Sequence, residues 1–139
     1  IRESLNKQRK FWDFVLEYDN DITCIYTGEK IEIGNYDVEH FIPYSFVSHN
    51  QIWNLIPSQK AFNIRKSNKL PQMDKYFEAF YRLQKRAIDV YNIEKPREKL
   101  LFDYYNIGFD VSKKIDKEKF YNTVNPLVNI ASNNGFQFL

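Results

Sequence analysis

The residues best suited to chemistry lie in the stretch from Tyr36 to Pro71, which holds both histidines of the chain. Glu39 directly precedes His40, and Asn54 and Asn63 follow further along. A neutral imidazole, with an ordinary pKa of about 6.5, can take a proton from water near neutral pH. Carboxylate and amide oxygens are hard ligands for a divalent ion, which can offset charge on phosphorane oxygens and stabilise a departing oxygen. This ordered set therefore predicts a metal-dependent nuclease site.

Supporting polar and basic residues follow in the same stretch. Asn54, near the start of a predicted strand, is expected to bond across the preceding loop and to fix the backbone that presents His40. Lys66 falls one helical turn beyond Asn63, where it can meet a phosphate. The net charge of +2 is only mildly basic, so an argument for nucleic acid depends on a local cluster. The sequence has one such cluster, expected to bind the nucleic-acid backbone: Lys60, Arg65, Lys66 and Lys69.

Each of these residues also has an ordinary structural interpretation. A lone histidine on a strand is more often a hydrogen-bonded structural residue, and isolated asparagines are common in turns and helix caps. Lysines in a short run usually form a solvated face. The ordered combination of carboxylate, histidine, two asparagines and lysine favours the catalytic interpretation over these alternatives.

Short strands and a helix must position these side chains. The pattern predicts a strand from Tyr36 that closes at Pro43, a polar loop over 44–51, a second strand over 52–56 and a short helix from Ser58 or Gln59 to about Asn68. Neighbouring residues of a regular strand point to opposite faces. Glu39 and His40 can therefore serve one site only where the first strand twists or ends.

Helices are predicted on both sides of this central stretch. Apolar periodicity predicts an N-terminal helix over 2–18, a helix over 72–92, another over 97–105 that ends at Gly108, and a last helix bent at Pro126. Alternating apolar residues over 22–35 suit a short hairpin or knuckle. The fold class predicted is α+β, in a single domain over 1–139 with a core motif at about 22–71 and a helical extension at about 72–139.

Composition sets limits on the class of protein. Hydrophobic residues make up 43% and charged residues 27%, which is typical of a globular chain. Cys24 is the single cysteine, so an internal disulfide is excluded and a cytoplasmic, reducing setting is expected. No stretch is apolar enough to span a bilayer, so no membrane role is expected. The sequence begins with Ile1, so we expect a fragment of a larger protein with other domains or subunits.

Three segments, in this order, resemble the HNH nuclease family: DVEHFIP at 37–43, WNLIP at 53–57 and NIRKSNKLP at 63–71. The upstream CIYTG at 24–28 is also similar to the start of such domains. The resemblance implies a ββα-metal core, in which two antiparallel strands and a helix grip one divalent ion. It implies roles for the following residues: His40 as general base, Glu39 and Asn63 as metal ligands, Asn54 as loop support, Lys66 at the phosphate and Asp37 as an acidic neighbour of less certain role.

Two departures from the family pattern bear on the metal. Many relatives carry two Cys-x-x-Cys knuckles that bind zinc, but here Thr27, Gln59 and Phe62 fill three of those positions. No structural zinc is therefore expected, and helices and aromatic residues should brace the motif instead. Glu39 stands where aspartate is common. The last motif position is Asn63 rather than histidine, which favours Mg²⁺ or Mn²⁺ over zinc.

The resemblance implies an endonuclease that hydrolyses DNA, similar to HNH domains of bacterial defence proteins and CRISPR effector nucleases, in a bacterium or phage. We expect double-stranded DNA to be guided by a groove between the first helix and the central motif. Nothing in the chain reads bases convincingly, so specificity is expected from another domain or partner. The alternatives are an RNase or nuclease toxin of the same fold, a catalytically silent nucleic-acid-binding module, and a helical interaction domain with an accidental motif.

Overall fold

A computed structural model describes residues 3–139 and shows an α+β fold built around a two-stranded antiparallel hairpin. In chain order the elements are α1 (Asn6–Tyr18), β1 (Asp37–His40), α2 (Tyr44–Val47), a 3₁₀ helix (Ile52–Asn54), β2 (Leu55–Ser58), α3 (Lys60–Lys66), α4 (Met73–Glu94), a second 3₁₀ helix (Lys99–Ile107) and α5 (Lys117–Asn133). The predicted fold class and its ββα core are confirmed. The first helix, predicted over 2–18, begins at Asn6 in the structure, since residues 3–5 are not helical; residue 2 lies outside the described residues.

The hairpin pairs β1 with β2 in a short antiparallel ladder. Asp37 lies opposite Ser58, and His40 lies opposite Leu55 at the other end. Pro57 lies within β2 and pairs with Val38. Proline has no backbone donor, but in a two-stranded sheet each strand has one unpaired edge, so it fits here. The ladder ends at His40, which places that residue at the start of an irregular loop.

The second strand begins later than the sequence pattern predicts. Residues Ile52–Asn54 form a 3₁₀ turn, and the strand covers Leu55–Ser58. Gln84 of α4 donates through Nε2 to the carbonyls of Ile52 (3.2 Å) and Leu55 (2.9 Å). Asp103 Oδ2 accepts from the Ile52 amide at 2.8 Å. Both backbone groups of Ile52, which a longer strand would need, are thus bonded by side chains of other segments, so tertiary hydrogen bonds override the local apolar pattern.

Gln84→Met is expected to lower the free energy of unfolding by about 1–3 kcal/mol, because buried carbonyls lose their donor and the Tyr104 hydroxyl loses its acceptor. Urea unfolding followed by circular dichroism measures this change. Gln137→Met is the matched control, since Gln137 is exposed and no described residue hydrogen-bonds its side chain. Equal stability of the two variants would show that the clamp on the turn contributes nothing.

The segment before β1 forms a knuckle with isolated bridges rather than a regular hairpin. Thr23 bridges Lys30, and Glu32 bridges Asn35. Gly28 adopts a left-handed φ of 75° at the turn, where a side chain would be strained. Ile22, Cys24 and Ile31 are buried in the main core. The segment is therefore held by packing and turn geometry more than by a ladder.

The helices form a frame that carries the hairpin. Trp12 of α1 donates through Nε1 to the Leu55 carbonyl at 3.1 Å. Phe41, the residue after His40, is fully buried and stacks on Phe80 of α4 with ring centroids 3.9 Å apart. Phe120 of α5 stacks on the same Phe80 ring at 5.7 Å. The backbone beside His40 is therefore anchored to α4, and through it to α5.

The C-terminal half follows the prediction with shifted ends. The predicted helix over 72–92 is α4, and the one over 97–105 is a 3₁₀ helix that ends at Gly108, whose φ is 83°. Pro126 lies inside α5, which continues on both sides of it. In residues 3–139 no helix has the length and apolarity needed to cross a bilayer.

Candidate active site

The predicted base and the two predicted metal ligands line one cleft. Glu39, His40 and Asn63 face a cavity of about 470 Å³, together with residues of the loop after β1 and of the end of α3. Glu39 and His40 are neighbours at the end of β1, and both line this cleft. The carboxylate, imidazole and carboxamide that the sequence places in order are thus brought together in space.

His40 contacts a loop residue that the sequence pattern did not single out. Its Nε2 lies 2.9 Å from Asn50 Oδ1, and its ring meets the Tyr44 ring edge-on at 5.3 Å. Gln8 of α1 donates through Nε2 to the Asn50 carbonyl at 3.3 Å. Asn50 therefore links the imidazole to α1. In the sequence, the position of Asn50 in a polar loop is the one feature that could have pointed to this contact.

Glu39 is a buried carboxylate with one satisfied oxygen. Its Oε1 accepts from the Tyr26 hydroxyl at 2.7 Å and pairs with Lys66 Nζ at 3.0 Å. Its Oε2 is buried and has no hydrogen-bond partner among the described residues. Burial raises the pKa of Glu39, while the Lys66 ammonium and the Tyr26 hydroxyl act to lower the pKa. An unpartnered buried oxygen is costly unless a donor or cation meets it.

Lys66 is placed differently from the expectation. The sequence predicts a phosphate-facing lysine, but its side chain is 1% exposed and its ammonium is used inside the protein. Besides Glu39, its Nζ donates to the carbonyls of His40 (3.0 Å) and Phe41 (3.2 Å). The helical turn from Asn63 does put Lys66 on the same side of α3, but that side packs onto β1. The lysine therefore holds the end of β1 and is not at the surface.

The rest of the predicted basic cluster is exposed. Lys60, Arg65 and Lys69 are solvent-accessible, and the Arg65 guanidinium lies 5.4 Å from the centre of the Phe62 ring. With Lys66 buried, the patch near α3 is smaller than the sequence indicates. Contact of these three cations with nucleic acid stays a prediction.

Asn63 and Asp37 are joined by a hydrogen bond. Asn63 Nδ2 donates to Asp37 Oδ2 at 3.0 Å. This bond orients the amide and leaves the amide oxygen Oδ1 as the atom that could ligate a metal ion. Asp37 is the first residue of β1, and Asn63 lies in the middle of α3. This bond ties the helix to the strand at the cleft, and gives the acidic residue at position 37 a positioning contact.

Asn54 makes the bond across the loop that the sequence predicts. It is fully buried, its Oδ1 accepts from the Ile42 amide at 2.9 Å, and its Nδ2 donates to the Ile42 carbonyl at 2.9 Å. The Asn54 carbonyl also accepts from the Phe41 amide at 2.9 Å. The two residues after His40 are thereby clamped to the start of β2, while a catalytic role for Asn54 stays a prediction.

The donor set fits a hard divalent ion with few protein ligands. Glu39 Oε2 lacks a partner, and Asn63 offers an amide oxygen in the same cleft. Magnesium and manganese sites commonly use one or two protein oxygens and keep several waters. Within residues 3–139 no three His, Cys, Asp or Glu side chains are grouped to hold a metal. A site here would therefore rely on Glu39, Asn63 and water.

Aromatic rings brace the motif around the positions where relatives carry zinc ligands. Tyr26 stacks on Phe62 with centroids 4.6 Å apart and meets Tyr76 edge-on at 5.0 Å. Gln59 donates through Nε2 to Glu29, joining the start of α3 to the knuckle. These contacts hold the knuckle against α3 and α4, as the sequence predicts for a motif without a zinc knuckle.

Tyr26→Phe is expected to destabilise the fold by about 1–3 kcal/mol, because the buried Glu39 carboxylate loses a hydroxyl donor while the ring packing is kept. Guanidinium unfolding measures the change. Tyr76→Phe is the control, since no described residue hydrogen-bonds the Tyr76 hydroxyl although its ring packs on Tyr26. Losses of the same size in both variants would contradict a specific role for the bond to Glu39.

Comparison with known proteins agrees with this geometry. Residues 24–72 match the family model described as HNH endonuclease, which confirms the resemblance over that segment. A CRISPR-associated endonuclease Cas9 of Listeria innocua serovar 6a is 36% identical over 53 residues, which are 36% of this chain and 4% of that relative. The chain thus corresponds to a small part of the relative's length. Both likenesses support nuclease activity.

Proposed function

We propose that this chain is a metal-dependent HNH endonuclease module that hydrolyses phosphodiester bonds of DNA. The observation that carries the proposal is the shared cleft of Glu39, His40 and Asn63. A base, a carboxylate with an unpartnered oxygen and an amide oxygen in one cavity are the groups that this reaction needs.

In the proposed reaction His40 takes the proton from the attacking water. Asn50 holds the imidazole through the contact to Nε2, and the clamp between Asn54 and Ile42 fixes the backbone that follows it. General bases held in this way contribute about 10²–10⁴-fold to a rate. Orientation of the imidazole is therefore the task of the loop and of the start of β2.

Glu39 and Asn63 are the proposed ligands of Mg²⁺ or Mn²⁺. When bound, such an ion supplies positive charge that offsets the charge on the phosphorane oxygens and on the departing oxygen. Lys66 and Tyr26 both bond Glu39 Oε1, which leaves Oε2 as the carboxylate oxygen for the ion. Asp37 orients the Asn63 amide so that its oxygen can do the same.

DNA is the proposed substrate, and the module is proposed to act within a larger protein. The similar protein is described as a CRISPR-associated endonuclease, and the matched residues are 4% of its length. We propose that other domains or subunits deliver the DNA to the cleft. A role in bacterial defence is part of the same proposal.

A plasmid-nicking assay tests this function. The full chain with Mg²⁺ or Mn²⁺ is expected to convert supercoiled DNA to nicked or linear products, and excess EDTA is expected to stop the reaction. An RNA of equal length is included as a competing substrate. Cleavage that persists in EDTA would contradict the metal-dependent mechanism, and cleavage of RNA in preference to DNA would favour the RNase alternative.

A further inference from the structure

A second groove, separate from the cleft of Glu39 and His40, is lined by positively charged side chains. It has a volume of about 620 Å³ and lies between α1 and the segment that links α4 to the second 3₁₀ helix. The positive side chains that line it are Lys7, Lys10, Lys95, Arg97 and Lys99. All five are solvent-exposed.

These cations have no partner of opposite charge in the part of the chain that the structure describes. The ion pairs found in residues 3–139 involve other side chains. Glu98 is the acid among the groove residues, and its Oε2 already accepts from the Leu100 amide at 3.0 Å. Like charges gathered around one groove repel each other, so this arrangement favours a polyanion over a solvated state.

An aromatic ring in the groove contacts one of its positive side chains. Phe14 is half-buried, and Lys95 Nζ lies 4.2 Å from the centre of its ring. The Lys95 ammonium thus lies against the face of the Phe14 ring in a cation–π contact. Because Lys7 and Lys10 come from α1 and Lys95 from the opposite segment, an extended chain lying in the groove meets cations from both sides.

We propose that this groove binds the phosphodiester backbone of a nucleic-acid strand flanking the one that is cut. Each cation that meets a phosphate releases condensed counterions, which makes binding strong and salt-dependent. The choice of a nucleic acid as ligand rests on the proposed function, whereas binding in the groove can be measured without cleavage.

A further cavity lies between the basic groove and the loop residue that contacts His40. This cavity of about 440 Å³ shares Lys7 and Leu100 with the basic groove and is also lined by Asn50 and by two acids, Glu3 and Asp103. Asn50 contacts His40 Nε2. The basic groove therefore lies near the loop that holds the His40 imidazole. Guidance of DNA by a groove between the first helix and the central motif, which the sequence led us to expect, stays a prediction.

Binding of fluorescent oligonucleotides to the full chain in EDTA, followed by anisotropy, tests the proposal. The groove variant carries Lys95→Gln, Arg97→Gln and Lys99→Gln. The matched control carries Lys113→Gln, Lys114→Gln and Lys119→Gln, which removes the same charge from exposed lysines elsewhere. Gln keeps most of the side-chain stem. Lys7→Gln with Lys10→Gln is a second groove variant from the opposite wall.

The groove variant is expected to bind at least tenfold more weakly, and its slope of log affinity against log salt should fall by about 2–3. The control should change less than threefold with an unaltered slope. DNA and RNA are both measured, and groove-dependent binding of either supports the proposal and identifies the strand. Equal losses in groove and control variants, no loss in either groove variant, or equally tight binding of polyglutamate would overturn it.

The same measurements separate this inference from the proposed function. If the chain cleaves DNA while groove and control variants bind alike, the groove proposal alone fails. If binding depends on the groove but no cleavage occurs with Mg²⁺ or Mn²⁺, the proposed function fails and the groove proposal stands.

Discussion

Lys66→Met is expected to lower the free energy of unfolding by about 3–5 kcal/mol, because it leaves the Glu39 carboxylate buried without its positive partner. The carbonyls of His40 and Phe41 also lose the ammonium that bonds them. Methionine keeps a similar volume, so the loss measures charge and hydrogen bonding more than packing. Chemical unfolding of the purified chain gives the value.

Two further variants make this test specific. Lys69→Met removes an exposed lysine from the segment that follows α3 and should change stability by less than about 0.5 kcal/mol. Glu39→Gln combined with Lys66→Met should recover part of the loss, since no uncompensated charge then remains. If Lys66→Met is as stable as Lys69→Met, the lysine is not buried in the pair described here.

His40→Ala is expected to lower the rate of DNA cleavage by at least about 100-fold, because the cleft loses its proton acceptor. The imidazole is half-buried and contacts Asn50 and Tyr44, so the fold should survive its loss. Initial rates of plasmid nicking with Mg²⁺ give the result, and unfolding curves check that the variant is folded.

His49→Ala is the matched control, since it removes the other histidine of the chain. His49 Nδ1 accepts from the Gln51 amide at 3.2 Å, and the side chain is not among those that line the cleft. Burial lowers the pKa of His49, but the proposed mechanism does not use this residue. The cleavage rate of His49→Ala should stay within about threefold of that of the native chain. A larger loss of cleavage rate in His49→Ala than in His40→Ala would contradict the assignment of His40 as the base.

The order of polar residues was enough to predict which side chains meet in the cleft. A carboxylate and histidine at a strand end, with Asn63 on the following helix, converge in the structure as expected. Local spacing carries this information because β1, β2 and α3 follow one another closely and pack together. The bond of Asn54 across the loop follows from the same closeness in sequence.

The local sequence pattern does not predict contacts between segments that are distant in the chain. Whether Lys66 faces solvent depends on how α3 lies on β1, and helical spacing alone does not decide this. The hydroxyl of Tyr26 reaches Glu39 from the knuckle, and nothing in its neighbourhood marks that role. Gln84 replaces strand pairing with side-chain hydrogen bonds from α4, so an apolar run that favours a strand forms a 3₁₀ turn.

The helices around the motif hold β2 and the residue that follows β1. Trp12 of α1 and Gln84 of α4 both bond the Leu55 carbonyl, and Phe80 stacks on Phe41. A buried network of this kind keeps the end of β1 in one geometry only if its members are satisfied. We therefore expect the C-terminal helices to be required for folding of the motif.

The most direct test of the account is the position of a bound ion. A crystal of the chain grown with Mn²⁺ locates the ion by its anomalous scattering, without any assay of activity. The account predicts one peak in the cleft, in contact with oxygens of Glu39 and Asn63 and beside His40. A peak outside this cleft, or no peak at millimolar Mn²⁺, would contradict it.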